Sequence, residues 1–242
     1  MHIGIIQTGH APSALIDRFG DYPAIFEELL AGNGFTFSTW AAVDGDLPPD
    51  PAAAEGWLVT GSRHGTYDDL PWIAPLEEFL RAAVASGRPM VGICFGHQII
   101  AQALGGRVAK DAGGFIIGPQ TYDIEGEKLT LNAWHQDQIV ELPPGARVLG
   151  SGPGCPYAVL AHGENVLTWQ AHPEFDHDFI EGLIVSRGQG LVPEERLEAA
   201  RAAAGLPLDR AAVVRRMADF LHAGRLVATA PERRAAATGA SR

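Results

Sequence analysis

The sequence predicts an α/β fold in which helices cover both faces of a central, mostly parallel sheet. Short apolar runs alternate with helical patterns up to residue 104, and turn-forming residues separate them. Because strands joined through helices run parallel, this alternation indicates a three-layer architecture of helix, sheet and helix. The composition, with 46% hydrophobic and 19% charged residues, is that of a globular protein with its own core.

The first part of the chain supplies the alternating elements in order. Strands are predicted at residues 2–7, 35–40, 56–60 and 89–93, and helices at 22–30, 71–84 and 95–104. Pro71 suits the first turn of a helix, and Gly105 suits the position just after a helix end. The strand at 89–93 runs directly into the helix at 95, which leaves residue 94 at a sharp junction.

The second part of the chain has a different pattern. Between residues 107 and 170, turn residues break up short strand-like runs, which predicts a mixed or antiparallel extension of the same sheet. These runs include 128–134, 138–142, 146–149 and 166–169. Two amphipathic helices rich in alanine and arginine are predicted at 192–204 and 209–224. Residues 229–242 hold too few large apolar side chains to pack, so we expect them to be disordered.

The charge and the first residues exclude several classes of protein. The net charge of −11 argues against sequence-independent binding to nucleic acid or to an anionic membrane. No window approaches the roughly 18 consecutive apolar residues of a membrane span. Residues 1–7 lack the features of a signal peptide, and two cysteines cannot form a disulfide scaffold, so we expect a cytoplasmic protein. Acidic residues dominate up to residue 186 and basic residues after it, which sets the last quarter apart.

The sharpest local motif places Cys94 between a strand and a helix, with Gly92 and Gly96 two residues away on either side. This is the pattern of a nucleophile elbow, in which the glycines let the strand and the helix approach each other while the nucleophile sits in a strained turn. The helix N-terminus favours a thiolate, and its N–H groups can stabilise an oxyanion. The alternative is that Cys94 is one more buried cysteine. Cys155 lacks such a setting and is expected to fill the core.

A cysteine nucleophile needs a base, and His172 stands in the most informative setting. It follows the strand-like run 166–169 and precedes Pro173, which restricts it to extended geometry. Residues 172 and 174 then project to the same side, so the Glu174 carboxylate can hold the imidazole and support its charged form. Two alternatives stay open, a solvated turn and a metal site drawn from the crowded run 172–178. The sequence lacks the spaced ligand pairs of common metal motifs, so no metal is expected.

Together the two motifs resemble a known family. Gly-Ile-Cys-Phe-Gly-His-Gln at 92–98 and Gln-Ala-His-Pro-Glu at 170–174 are similar to motifs of the class I glutamine amidotransferase domain. The similarity is to the glutaminase domain of GMP synthase and its free-standing relatives, and it runs from residue 2 to about 185. It implies a flavodoxin-like fold and a catalytic triad. In that triad Cys94 is the nucleophile, His172 is the general base and then acid, and Glu174 orients the histidine.

The resemblance also implies roles for residues outside the triad. Gly61 and Ser62 occupy the loop that donates one oxyanion N–H in relatives, and Phe95 would donate the other. Ser62 stands where relatives usually have a second glycine, which makes the backbone less permissive there. Substrate contacts are implied for Gln98 and for the segment His135-Gln136-Asp137. From the residues alone, Gln98 can also be a helix-surface residue, and His135 a polar residue at a strand end.

The implied function is cysteine-dependent hydrolysis of the glutamine side-chain amide through a γ-glutamyl thioester, with release of ammonia and without a cofactor. Two alternatives stay open, a γ-glutamyl peptidase acting on γ-glutamyl conjugates and a catalytically silent binding module. We expect a free-standing unit with a small-molecule substrate, and the amidotransferase interpretation adds a separate synthetase subunit as partner. The predicted organisation is a catalytic domain at 1–185, a helical appendage at 186–228 and a disordered tail at 229–242.

Overall fold

A nine-stranded sheet with helices on both faces forms the centre of the protein. The computed structural model describes residues 1–226. Its strands are β1 (His2–Ile6), β2 (Thr36–Trp40), β3 (Gly56–Val59), β4 (Met90–Ile93), β5 (Arg107–Lys110), β6 (Ile116–Ile124), β7 (Glu127–His135), β8 (Asp137–Glu141), β9 (Ala146–Gly152), β10 (Cys155–His162) and β11 (Val166–Trp169). Its α-helices are α1 (Ser13–Phe19), α2 (Tyr22–Leu29), α3 (Ile73–Ala85), α4 (Phe95–Ala103), α5 (His177–Leu183), α6 (Glu194–Ala202) and α7 (Arg210–Ala223). A π-helical turn at Ile184–Gly188 follows α5 directly.

The sheet combines a parallel half with an antiparallel half. Its strand order is β2-β1-β3-β4-β11-β10-β9-β6-β7. The first five strands are parallel to one another, and their order is the doubly wound 2-1-3-4-5 when these strands alone are numbered. The other four continue the sheet with antiparallel pairing. The predicted α/β class, with a parallel centre and an antiparallel extension, is confirmed.

Two predictions about the second half of the chain need correction. The run predicted at 138–142 is strand β8, but it pairs with β5 in a separate two-stranded sheet rather than in the extension. Strands β6 and β10 occupy regions for which the sequence pattern predicts no strand. Pro119 lies within β6 and Pro156 within β10. Because proline cannot donate to a strand ladder, its presence argues against a strand in the sequence alone.

Each face of the parallel half carries a pair of helices. Helices α2 and α7 lie on one face, where Phe26 and Met217 pack with Val91 of β4. Helices α3 and α4 lie on the other face, where Leu80 packs with Trp57 of β3. All five side chains are buried. Since full burial of such a side chain contributes about 1.5–3 kcal/mol, both helical layers hold the sheet in place.

The C-terminal helices pack against the sheet as well. Helix α6 lies on β6, where Gly118 has a φ of 72° and leaves room for Ala200. Helix α7 places Val213, Met217 and Leu221 in the same core as the central strands. The helices predicted at 192–204 and 209–224 are confirmed as α6 and α7.

The boundary predicted at residue 185 lies inside the π-helical turn that follows α5, and the division into a catalytic domain and an appendage stays a prediction. The tail predicted at 229–242 lies outside the described residues. Within residues 1–226, no helix combines the length and the apolar character needed to cross a membrane.

Candidate active site

Cys94 lies at the junction of β4 and α4, at the carboxyl end of the parallel strands. Its φ of 53° and ψ of −103° are unusual for a residue with a side chain. Its backbone N–H donates to the carbonyl of Trp169 at the end of β11, with a separation of 2.8 Å. The hydrogen bond to the neighbouring strand therefore helps to hold this strained conformation in place.

Gly92 and Gly96 make this sharp turn sterically feasible. A Cβ atom on Gly96 would lie 2.3 Å from the carbonyl oxygen of Val59, and one on Gly92 would lie 2.7 Å from the carbonyl oxygen of Gly96. The Gly96 N–H also donates to the carbonyl of Thr60 at 3.1 Å. The backbones of strands β3 and β4 and of helix α4 therefore pack directly against one another, as the elbow motif predicts.

His172 and Glu174 form a buried pair in the loop after β11. The separation between His172 Nδ1 and Glu174 Oε1 is 2.6 Å, and both residues are 3% exposed. The ring of Phe175 stacks on the imidazole, with centroids 4.0 Å apart and an angle of 8° between the planes. The carboxylate and the aromatic ring together fix the orientation of the imidazole. The alternative of a solvated turn is wrong, because neither side chain reaches solvent.

The imidazole of His172 and the side chain of Cys94 meet at Gly61. A Cβ atom on Gly61 would lie 3.2 Å from His172 Cε1 and 3.7 Å from Cys94 Cβ. Within the described residues, His172 Nε2 is buried and has no hydrogen-bond partner. The loop after β3, the elbow after β4 and the loop after β11 thus converge on one point. This is the crevice at the carboxyl ends of the strands where doubly wound folds bind ligands.

The electrostatics of this point favour a charged imidazole. Burial by itself lowers the pKa of His172. The negative charges of Glu174 and Cys94 outweigh burial and raise that pKa well above its usual range. A charged imidazole held beside the Glu174 carboxylate is therefore favoured at this point.

The residues predicted for an oxyanion hole lie around the same point. Phe95 is the first residue of α4, so its N–H has no acceptor within the helix. Gly61 is buried against Cys94 and His172. Ser62 is half-buried, and its Oγ accepts a hydrogen bond from the His64 N–H at 3.1 Å. Their role in binding an oxyanion stays a prediction.

The residues predicted to contact substrate form a second, linked group. Gln98 is buried, and its Nε2 donates to the carbonyl of Asp137 at 2.8 Å and to Gln170 Oε1 at 3.0 Å. The alternative of a helix-surface residue is therefore wrong for Gln98. His135 is also buried, and burial together with the nearby His172 lowers its pKa to about 4. Gln136 accepts a backbone hydrogen bond from Asp111. Contact of these residues with substrate stays a prediction.

Tyr67 belongs to this part of the molecule and is missed by the sequence motifs. Its hydroxyl donates to Asp137 Oδ2 at 2.9 Å, which joins the loop after β3 to the first residue of β8. The Asp137 carboxyl has a raised pKa, chiefly because it is partly buried. A lone tyrosine in a polar loop gives no sequence signal of this contact, because the two residues lie far apart in the chain.

The crowded run 172–178 does not converge on one point. Asp176 caps α5 by accepting from the Phe179 N–H at 2.8 Å. His177 Nε2 bonds to the carbonyl of Leu206 at 2.8 Å, and Asp178 pairs with Arg18. Within the part of the chain that the structure describes, no three His, Cys, Asp or Glu side chains are placed to hold a metal ion.

Known proteins are similar in sequence to this chain over two thirds of its length or more. The family model for glutamine amidotransferase class-I matches residues 64–188, which is more than half of the chain. The chain belongs to this family. It is 31% identical to Gamma-glutamyl peptidase 4 of Arabidopsis thaliana in an alignment that covers 69% of this chain and 72% of the relative. It is 28% identical to a glutamine amidotransferase-like protein of Schizosaccharomyces pombe over 86% of this chain and 93% of the relative.

A solved structure shares the architecture of this class I glutamine amidotransferase. A glutamine amidotransferase from Methylobacillus flagellatus superposes with a TM-score of 0.70 and 22% sequence identity. The superposition covers 95% of this chain and 96% of that chain. The predicted class I glutamine amidotransferase fold is thereby confirmed. Family membership assigns the chain to an enzyme class of amidotransferases and hydrolases.

Proposed function

We propose that the protein cleaves an amide bond at a γ-glutamyl group, with Cys94 as the nucleophile, His172 as general base and acid, and Glu174 as the residue that orients the histidine. One observation carries this proposal. The buried imidazole, held by Glu174 at 2.6 Å, meets Cys94 beside Gly61 at the elbow. A base that lies beside a cysteine and is itself fixed by a third group is the general arrangement of an activated nucleophile.

The chemistry proceeds in two steps at these side chains. The Cys94 thiolate attacks the γ-carbonyl carbon, and a C–S bond forms. As the intermediate collapses, the C–N bond breaks and the His172 imidazolium gives its proton to the departing nitrogen. Ammonia or an amine leaves, and a γ-glutamyl thioester remains on Cys94. Water then attacks the thioester while His172 accepts its proton, which releases the γ-carboxyl product and restores the thiolate and imidazolium.

Backbone N–H groups stabilise the oxyanion in both steps. Phe95 supplies an N–H at the N-terminus of α4, and the loop at Gly61 and Ser62 supplies another. The removal of one such donor costs about 2.7–4 kcal/mol of transition-state stabilisation in comparable acyl-transfer sites. Gln98 and the segment 135–137 hold the amino and carboxylate end of the substrate beside this hole.

Two substrates fit this chemistry. Free glutamine is the first, and its hydrolysis releases ammonia, which calls for a separate synthetase subunit as the consumer. A γ-glutamyl peptide is the second, favoured by the similarity to Gamma-glutamyl peptidase 4, and its hydrolysis needs no partner. The two share the γ-glutamyl thioester and differ only in the leaving group.

The decisive experiment compares the two leaving groups on the same protein. Purified protein is supplied with glutamine, with release of ammonia measured, and with γ-glutamylalanine, with release of alanine measured. We expect turnover of at least one substrate, loss of that turnover in Cys94→Ala, and its retention in the matched variant Cys155→Ala. Absence of turnover with both substrates would contradict the proposal, and so would activity in Cys94→Ala near that of the unmodified protein.

A further inference from the structure

Three consecutive backbone carbonyls follow His172, and side chains from distant parts of the chain hold all three. Arg210 Nε donates to the carbonyl of Pro173 at 2.7 Å, and Arg210 Nη2 donates to the carbonyl of Glu174 at 3.0 Å. Asn132 Nδ2 donates to the carbonyl of Phe175 at 3.1 Å. The loop that carries His172 and Glu174 is therefore fixed by contacts outside the site itself.

The two contacts of Arg210 use the shape of the guanidinium group. Its donors form a rigid planar fork, which can engage two adjacent carbonyl oxygens at once. A lysine ammonium is a point charge on a flexible chain and lacks this fork. Within residues 1–226, the hydrogen bonds recorded for the Arg210 guanidinium go to these two carbonyls.

Arg210 approaches from α7, and the start of α7 is itself anchored to β7. The Asp209 N–H donates to the carbonyl of Thr130 at 2.8 Å, and the Thr130 N–H donates to Asp209 Oδ2 at 2.8 Å. Two residues further along β7, the carbonyl of Asn132 accepts from the His172 N–H at 2.9 Å. Strand β7 and helix α7 thus both form hydrogen bonds with the loop that carries His172 and Glu174. Strand β7 also holds the start of α7 in place.

We propose that Arg210 is a positioning residue of the active site. By holding the carbonyls of residues 173 and 174, it sets the position and orientation of the His172 and Glu174 side chains relative to Cys94. This inference rests on the proposed function of that pair. The contact between His172 and Glu174 is short and buried, so it depends closely on where the loop backbone lies. Displacement of a catalytic group by about 1 Å lowers the rate of an enzyme by about 100-fold.

The first test compares substitutions on α7. Arg210→Met removes both hydrogen bonds, and Arg210→Lys keeps the charge but loses the fork. Arg215→Met is the matched control, because Arg215 lies on the same helix and is exposed. We expect kcat to fall by about 10- to 100-fold in Arg210→Met, with KM within about twofold, and to fall less in Arg210→Lys. Arg215→Met is expected to keep both constants. An unchanged kcat in Arg210→Met, or an equal loss in Arg215→Met, would overturn the inference.

The second test does not depend on any substrate. Iodoacetamide alkylates thiolates, and peptide mass analysis reports the alkylation of Cys94 as a function of pH. Because the His172 imidazolium stabilises the thiolate, we expect displacement of the loop in Arg210→Met to move the midpoint for Cys94 to higher pH. Burial raises the pKa of Cys155 to about 12, so Cys155 serves as an internal reference that reacts slowly in every variant.

The two tests separate this inference from the proposed function. If the unmodified protein cleaves neither substrate but the Cys94 midpoint moves in Arg210→Met, the proposed function fails and the positioning role stands. If the unmodified protein is active and Arg210→Met keeps both its kcat and its midpoint, the positioning role fails and the function stands. Should Arg210→Met not fold, the same comparison is made with Arg210→Lys, for which an unchanged midpoint and kcat count against the inference.

Discussion

Single residues at the elbow show how backbone strain and chemistry are linked. Cys94 keeps a φ of 53° because two hydrogen bonds hold the turn. Its own N–H donates to the carbonyl of Trp169, and the N–H of Gly96 donates to the carbonyl of Thr60. This strained turn is possible because Gly92 and Gly96 have no Cβ atom, which lets β3, β4 and α4 approach one another closely. The motif therefore specifies the backbone geometry at Cys94, and the role proposed for Cys94 as a nucleophile depends on that geometry.

Glu174 offers a prediction at the same scale. Glu174→Gln keeps the size of the side chain and a hydrogen-bond acceptor for His172 Nδ1, but removes the charge that favours the imidazolium. We expect kcat to fall by at least about tenfold, less than in Cys94→Ala, since a positioned acid or base contributes about 10²–10⁴-fold. Steady-state kinetics on the active substrate measure this change.

The control for Glu174 is an exposed carboxylate. Glu181→Gln breaks the surface pair with Arg201, whose separation is 3.0 Å, and is expected to leave kcat unchanged. A loss of stability in Glu174→Gln without any loss of kcat would show that the buried pair has only a structural role.

At the scale of elements, sequence periodicity predicts the parallel half of the fold and much less of the rest. Strands β1 to β4 and helices α3 and α4 follow from apolar runs bounded by turn residues. Strands β6 and β10 do not, because Pro119 and Pro156 interrupt them, and a proline within a run argues against a strand when only the sequence is known. The Cys94 and His172 motifs are each a short stretch of sequence and can be recognised there. The contact of Arg210 with the His172 loop joins residues that no sequence pattern connects.

A substitution in helix α7 tests whether the segment after residue 185 folds together with the sheet. Met217→Ala removes a side chain that is fully buried in the core shared with β1 and β4. We expect the free energy of unfolding to fall by about 2–5 kcal/mol, the usual range for such truncations. Urea titration followed by tryptophan fluorescence measures it, and all five tryptophans lie before residue 170. The matched variant Arg215→Ala, on the exposed side of α7, is expected to change little.

The fluorescence probe makes this a test of the predicted division at residue 185. If residues 186–228 form an appendage that unfolds on its own, the tryptophan transition will keep its midpoint in Met217→Ala. A shift of the whole transition will show that α7 and the sheet unfold as one cooperative unit.

For the whole molecule, buried histidines set the dependence of stability on pH. Burial lowers the pKa of His97 to about 3, and those of His135 and His162 to about 4. Between pH 6.5 and about 4 the unfolded chain binds protons that the folded protein excludes, so stability falls as pH falls through this window. His172 acts in the opposite sense. Its raised pKa stabilises the fold below pH 6.5, and this contribution is lost as pH rises through the folded-state pKa.

These opposing contributions place the highest stability near neutral pH, and His162 gives the sharpest test. Within the described residues, both of its ring nitrogens are buried without a hydrogen-bond partner, so its protonation in the fold is strongly opposed. His162→Gln removes the titration, and the slope of unfolding free energy against pH between 6 and 4.5 is expected to fall by up to about 1.4 kcal/mol per pH unit. Urea titrations of His162→Gln and of the unmodified protein at a series of pH values measure the slope. Equal slopes in the two proteins would show that acid lability arises elsewhere in the molecule.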